Sequence, residues 1–222
     1  MSAKIRTRFA PSPTGYLHIG SLRTALYSYL VARQNGGEFI LRIEDTDQTR
    51  YVEGAVEKLI QTLFDVSLDY DEGPVFENGK IVEKGDFGPY VQSKRFDLYT
   101  KFAQELIDKN LAYYCFCTAE ELDEMRQRQE KRGEAPIYNE ACRKLTPAEI
   151  EKNLADGKPY VIRLKIPEQG EIKFNDKIRG EVKFNCANID DQVLIKSDGF
   201  PTYHLAIIVD DHMMKVNLVI RG

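Results

Sequence analysis

The sequence predicts an α/β fold, a doubly wound parallel sheet into which a smaller α+β unit is inserted. Three observations carry this expectation. Apolar strand-like runs alternate with amphipathic helical stretches over residues 1–112. Over 113–190 that rhythm gives way to two capping boxes and short alternating runs. From 191 to 222, apolar runs of buried-strand character return. With 222 residues, 42% of them hydrophobic, the chain can bury a sizeable core in one or two domains.

Ile5 and Phe9 mark the first strand. Pro11 and Pro13 then forbid helix and remove two backbone donors, while Gly15 and Gly20 permit tight turns. From Ser21 onward, Leu22, Ala25, Leu26, Tyr29 and Leu30 recur at helical spacing. A strand, a rigid loop and a helix start follow one another, and the free N–H groups of a helix start suit a phosphate. His18 stands where loop meets helix. Ser12, His18 and Gly20 therefore form the first candidate site, because an imidazole and N–H groups aimed at one point stabilise charge growing on a phosphate oxygen.

Gly36 and Gly37 launch a second strand over residues 38–43. Glu44 lies at its carboxyl end, where open α/β sheets bind ligands, and is assigned to grip an ammonium group or magnesium. Asp47 or Thr49 is expected to cap the next helix, which carries Val52, Val56, Leu59, Ile60, Leu63 and Phe64. Phe96, Tyr99, Phe102, Ala103, Leu106 and Ile107 define another. In the inserted unit, Thr118 with Glu121 opens a charged helix from Glu120 to Arg132. Thr146-Pro147 with Glu149 opens a second, which Gly157 closes. Tyr160 to Ile166 alternates as a strand, and 171–174 pairs with 180–185 around Asn175-Asp176. Gln192 to Lys196, Tyr203 to Val209 and Val216 to Ile220 are then expected as buried parallel strands. Because the chain stops just after such a run, it is expected to be the N-terminal part of a longer enzyme.

Charged residues make up 30% of the chain, yet the net charge is only −4. That excludes a surface uniformly attractive to nucleic acid and leaves room for a local basic patch. No long apolar run or signal-peptide core is present, which predicts a cytoplasmic protein with no membrane association. Its four cysteines then read as reduced thiols or metal ligands before disulfides.

Ala-Pro-Ser-Pro-Thr-Gly-x-Leu-His-Ile-Gly at 10–20 and Arg-Ile-Glu-Asp-Thr-Asp at 42–47 resemble the motifs of bacterial glutamyl-tRNA synthetases, which are class I aminoacyl-tRNA synthetases. The resemblance continues through Asp71-Glu72-Gly73, Gly88-Pro89-Tyr90, Gln92-Ser93, Ser197 to His204 and Val209 to His212, so it covers nearly the whole chain. It implies a Rossmann-like domain split into 1–112 and a truncated 191–222, with a connective domain at 113–190 that grips the tRNA acceptor end. It further implies a monomer that activates L-glutamate with ATP and Mg2+ and passes the glutamyl group to tRNA(Glu). His18, Ile19, Gly20 and Ser21 would hold ATP, His18 and Gly20 catalytically, with Ser21 where many relatives have a second histidine. Arg8, Ala10, Ser12, Glu44, Tyr203 and Arg221 would line the glutamate pocket, and Ile207 receives no contact. Arg8 also fits the plain reading of an exposed strand end.

The family's later lysine-rich loop and anticodon-binding region are absent, so this chain alone is expected to show little aminoacylation. Arg126, Arg128, Lys131 and Arg132 fit an RNA contact and a solvated helix equally well. Cys115-Phe116-Cys117, followed by Cys142, offers three soft ligands for zinc, and the resemblance supplies Tyr138 as the fourth. Small buried thiols are the other reading of these cysteines. Two other readings stand behind the leading one, a glutamyl-queuosine tRNA(Asp) synthetase and a non-catalytic RNA-binding fragment.

Overall fold

The structure, a computed structural model, describes residues 4–47, 50 and 52–221. The fold separates into two compact units, Met1–Tyr99 with Ala206–Gly222, and Thr100–Leu205.

In the first unit, β1 (Arg6–Phe9) and β2 (Glu38–Leu41) pair in parallel, with Arg6 opposite Glu38 and Phe9 opposite Leu41. Single parallel bridges, Ile40 with Glu72 and Ile43 with Val91, widen this sheet on its far side. Side chains of a strand alternate between faces, and here the two faces differ in kind. Phe9, Phe39, Leu41 and Ile43 pack on α1 (Ile19–Gln34) and α2 (Ala55–Asp65) through Ala25, Ala32, Val56, Leu59 and Leu63. The opposite face carries Arg6, Arg8, Ile40 and Arg42, against the C-terminal part of α6 (Tyr203–Met213) and the following Met214. A parallel sheet covered on both faces is what the sequence predicts. The arginine-lined face is not.

Three elements of this unit depart from expectation. α1 buries Ala25, Ser28 and Ala32, while Leu26 and Leu30 are exposed. Small residues let the helix lie close to the sheet, where Thr7 Oγ1 donates to the Ser28 carbonyl at 2.8 Å. α2 starts at Ala55 behind a left-handed Gly54 that supplies no side-chain cap, and Asp47 instead takes a 2.7 Å hydrogen bond from Arg50. Thr49, the other expected cap, lies outside the described residues. β3 (Gly73–Glu77) and β4 (Lys80–Lys84) form an antiparallel hairpin that the sequence reading leaves out.

Helix α3 (Phe96–Asp108) runs from the first unit into the second. There β5 (Ala112–Cys115), β6 (Val161–Leu164) and β9 (Val193–Ile195) form a three-stranded antiparallel sheet, so 192–196 is a strand but not a parallel one. Helices α4 (Ala119–Lys131) and α5 (Pro147–Ala155) open on the expected capping boxes of Thr118 with Glu121 and Thr146 with Glu149. β7 (Glu171–Asp176) and β8 (Gly180–Asn185) make a hairpin. Its turn falls at 177–179, where Asp176 accepts from the N–H groups of Ile178 and Arg179, and not at Asn175-Asp176.

Two expected strands are corrected. Tyr203 to Val209 is the first part of α6. A continuous apolar run fits a buried helix as well as a buried strand, and here burial of Leu205, Ala206, Ile207 and Val209 decides for the helix. Val216 to Ile220 forms no regular strand, and the N–H groups of Asn217 and Leu218 both point at the Arg6 carbonyl, each at 3.2 Å.

Candidate functional site

The loop between β1 and α1 leaves the sheet at its carboxyl edge and is tied to the end of β2. Glu44 N–H donates to the Pro11 carbonyl at 3.0 Å, and Val52 N–H to that of Pro13 at 3.1 Å. Ala10, Ser12 and Glu44 therefore gather at the carboxyl ends of two adjacent parallel strands, the edge where such sheets place ligands. Ser12 is exposed, and Ala10 and Glu44 are half-buried.

His18 is the N-cap of α1. Its Nδ1 accepts the Gly20 N–H at 3.0 Å, so the ring proton belongs on Nε2, which faces outward as a donor. A Cβ on Gly20 would lie 3.2 Å from that Nδ1, which explains a glycine here. Among the described residues the amides of Ile19 and Ser21 have no partner, so the helix start presents two free N–H groups beside a histidine donor. No acidic residue occupies the first turn of α1.

This geometry gives a clean test of His18. Asparagine is a good N-cap without an imidazole, whereas alanine is neither. His18→Ala is expected to lower stability by up to about 1 kcal/mol, and His18→Asn to restore it. Both variants should lose affinity for a nucleotide phosphate. Thermal melts and nucleotide titration read the two effects separately, and unimpaired nucleotide binding by His18→Asn would remove the imidazole from the site.

Behind the loop lies a connected set of charges on the arginine-lined face. Arg8 Nε donates to Asp211 Oδ1 at 3.2 Å, and Arg42 Nη1 donates to the same oxygen at 2.7 Å. Arg42 Nη2 donates to Glu44 Oε1 at 3.0 Å. The Arg42 side chain is fully buried and that of Glu44 only 9% exposed. Burial pushes the Glu44 carboxyl above its ordinary range, and Arg42 and then Arg8 pull against that shift. An arriving ammonium group would supply the counter-charge that burial withholds.

Asp210, next in the chain to Asp211, turns to a different set of partners. It accepts from Arg95 Nε at 2.7 Å, Gln92 Nε2 at 2.8 Å and Tyr99 Oη at 3.0 Å. Burial, then Asp210, pushes the Tyr99 phenol far up, which keeps it a donor. Sequence reasoning quotes Arg42, Asp210 and Asp211 within motifs but assigns them no role.

Tyr203 opens α6 in the second unit, half-exposed and edge-on to the His204 ring at 6.0 Å. Arg221 is exposed in the irregular segment after α6. Ile207 is buried in α6.

The second unit holds a separate cluster. The sulfurs of Cys115, Cys117 and Cys142 all lie within 4.8 Å of one another, and Cys117 Sγ is 3.6 Å from Cys142 Sγ. Tyr138 Oη lies 3.3 Å from Cys115 Sγ and 3.4 Å from Cys117 Sγ. A tetrahedral zinc needs sulfurs about 3.8 Å apart and a ligating oxygen about 3.5 Å from each, from zinc–sulfur bonds of about 2.3 Å and zinc–oxygen bonds of about 2.1 Å. The Cys117–Cys142, Tyr138–Cys115 and Tyr138–Cys117 separations lie close to those edges. A hydrogen bond from Cys142 holds the Cys115 thiol well below its ordinary value against the effect of burial, with help from Tyr138, while Cys142 is pushed up as the proton donor. The Arg163 guanidinium stacks over the Tyr138 ring at 4.2 Å and helps hold the Cys115 thiol down. Among the described residues no helix is long and apolar enough to cross a membrane.

Comparison with known proteins identifies the family. The family described as tRNA synthetases class I (E and Q), catalytic domain, matches residues 4–222. A glutamate--tRNA ligase of Clostridioides difficile is 53% identical over 98% of this chain, and one of Finegoldia magna 55% identical over 99%. The chain spans about 44% and 46% of the length of these relatives. The crystal structure of a glutamate tRNA ligase from Elizabethkingia meningosepticum in complex with its amino acid superposes with a TM-score of 0.89 at 46% identity, over 99% of this chain and 44% of that one. A parallel sheet with both faces covered, a histidine-capped helix at its carboxyl edge and a family match over residues 4–222 together place the chain in the class I tRNA synthetase (E and Q) catalytic-domain family, with its Rossmann-like α/β fold.

Proposed function

We propose that this chain is the catalytic region of a glutamate--tRNA ligase, which activates L-glutamate with ATP and passes it to the 3′ end of tRNA(Glu). One observation carries the reading. A cation, Arg8, and an anion, Glu44, stand at the carboxyl ends of neighbouring parallel strands, held apart by Arg42 and Asp211. Glutamate presents the complement, a side-chain carboxylate and an ammonium group. Arg8 offers the first a planar fork, and Glu44 offers the second a buried carboxylate.

Ala10 and Ser12 border the same edge, and Arg221, in the same unit, belongs to the pocket in this reading. ATP lies over His18, Ile19, Gly20 and Ser21. Its phosphates face the helix start and the His18 Nε2 proton, and Mg2+ accompanies the triphosphate as part of the substrate. The α-carboxylate of glutamate attacks the α-phosphorus and pyrophosphate leaves with the bonding pair; a ribose hydroxyl of the tRNA then attacks the glutamyl carbonyl, loses its proton, and AMP leaves with the electrons of the broken anhydride bond. The chain contributes positioning and charge stabilisation and forms no covalent intermediate itself. Titration with a non-hydrolysable glutamyl-adenylate analogue tests the reading. Saturable binding is expected, and no measurable binding would overturn it.

Cys115, Cys117, Cys142 and Tyr138 would hold a structural zinc that cross-links β5 to the 3-10 turn at Ala141–Lys144. About one zinc per chain is expected in protein purified without chelator, and its removal should lower the melting temperature of the second unit. Metal analysis showing no zinc would return the cysteines to small buried thiols.

A further inference from the structure

We propose that Asp211 is the positioning residue that aims Arg8, so that the preference for an acidic over an amide substrate side chain depends on it. The inference deepens the glutamate pocket proposed above and rests on that reading.

The geometry is specific. Arg8 is held only through Nε, by Asp211, and its two terminal nitrogens have no partner among the described residues. A guanidinium is planar, so a bond on the Nε edge fixes the direction in which the terminal fork opens. Asp211 thus spends none of the nitrogens that a substrate carboxylate would engage in two parallel bonds. Arg42 cannot take this task. It is fully buried with one terminal nitrogen on Asp211 and the other on Glu44, so it serves as a cationic spacer between two acids.

Arg8 and Arg42 balance Glu44 and Asp211, two charges of each sign. Without the Asp211 charge, Glu44 becomes the acid closest in reach for both arginines. Arg8 would then turn toward Glu44, and its fork would no longer face the substrate's side-chain carboxylate. Asp210 is no substitute, because it faces Arg95, Gln92 and Tyr99.

The test titrates the 222-residue chain with two non-hydrolysable adenylate analogues, one glutamyl and one glutaminyl. The unaltered chain is expected to prefer the glutamyl analogue. Asp211→Asn keeps the shape and an acceptor but removes the charge. It should lower that preference about tenfold, through weaker glutamyl binding with glutaminyl binding little changed. Arg8→Lys should do the same, since an ammonium group has no planar fork to offer a carboxylate two parallel bonds. The double variant should lose little more than Arg8→Lys alone, because both changes act on one fork. Equal weakening of both analogues by Asp211→Asn would mark a merely structural role and overturn the proposal. Should Asp211→Asn not fold, an unchanged preference in Arg8→Lys overturns it instead. If the unaltered chain binds neither analogue, or binds them equally, the glutamate pocket itself falls. A clear preference that Asp211→Asn leaves intact removes Asp211 alone.

Discussion

Replacement of Asp210 by alanine is expected to destabilise the first unit by about 3–5 kcal/mol, the cost of stranding a buried charge by deleting its partner. Asp210 is fully buried and accepts from Arg95, Gln92 and the Tyr99 hydroxyl, whose proton is shared between its two oxygens, with Arg42 Nε 3.7 Å away. Alanine leaves two buried guanidinium groups short of an anion and a phenol and an amide short of an acceptor. Domains are stable by only about 5–15 kcal/mol, so the variant should be close to unfolding at physiological temperature. Asp210→Asn, which retains one acceptor oxygen, should fall between the two. Urea unfolding followed by circular dichroism measures the difference. A midpoint shift equivalent to less than about 1 kcal/mol for the alanine variant would show that the cluster is dispensable.

The second unit has its own buried aspartate. Asp191 accepts from Arg143, from the Tyr113 hydroxyl and from Ile166 N–H, and its side chain is 1% exposed. Burial alone would raise its carboxyl, but the Arg143 and Tyr113 hydrogen bonds and that of Ile166 outweigh it and hold the group below its ordinary value of 3.8. A carboxyl lowered in the folded state binds fewer protons there than when unfolded. Its contribution is therefore fully present above that ordinary value and is lost as pH falls through the lower, folded one. Asp191→Ala should cost about 3–5 kcal/mol at neutral pH. Asp191→Asn should flatten the acid limb of the stability curve as well. An acid limb unchanged in Asp191→Asn would place the acid sensitivity of this unit elsewhere. Neighbouring Asp190 accepts from Tyr138 N–H at 3.2 Å, so melting here should also disturb the cysteine cluster.

What the sequence made legible follows local chemistry. The capping boxes at Thr118 and Thr146 are complete within four residues, and both helices start where those residues dictate. The parallel pair and the His18 loop were legible because prolines and glycines fix a strand–loop–helix passage almost alone. Misreadings came where partners are distant. Tyr203 to Val209 is apolar enough for strand or helix, and only its packing decides. Leu26 and Leu30 gave α1 a plausible apolar face, yet close approach to the sheet favours Ala25, Ser28 and Ala32.

The candidate site divides in the same way. His18, Gly20 and Glu44 stand out because they occupy ends of elements, whereas the Arg42–Asp211 contact joins residues 169 positions apart. Its one local trace was the alternation of arginines at positions 6, 8 and 42 along strands that should have been apolar on both faces. Three cations on one side of a sheet demand acids from somewhere, and the adjacent pair Asp210-Asp211 was the place to look.

That adjacency has a consequence for how such a protein can change over time. Consecutive residues on a helix point about 100° apart, so Asp210 faces Arg95, Gln92 and Tyr99 while Asp211 faces Arg8 and Arg42. A single insertion or deletion ahead of them in α6 would rotate one into the other's place. A change of length in the β7–β8 hairpin leaves that phase untouched, whereas the same change within α6 ahead of Asp210 shifts both acids at once.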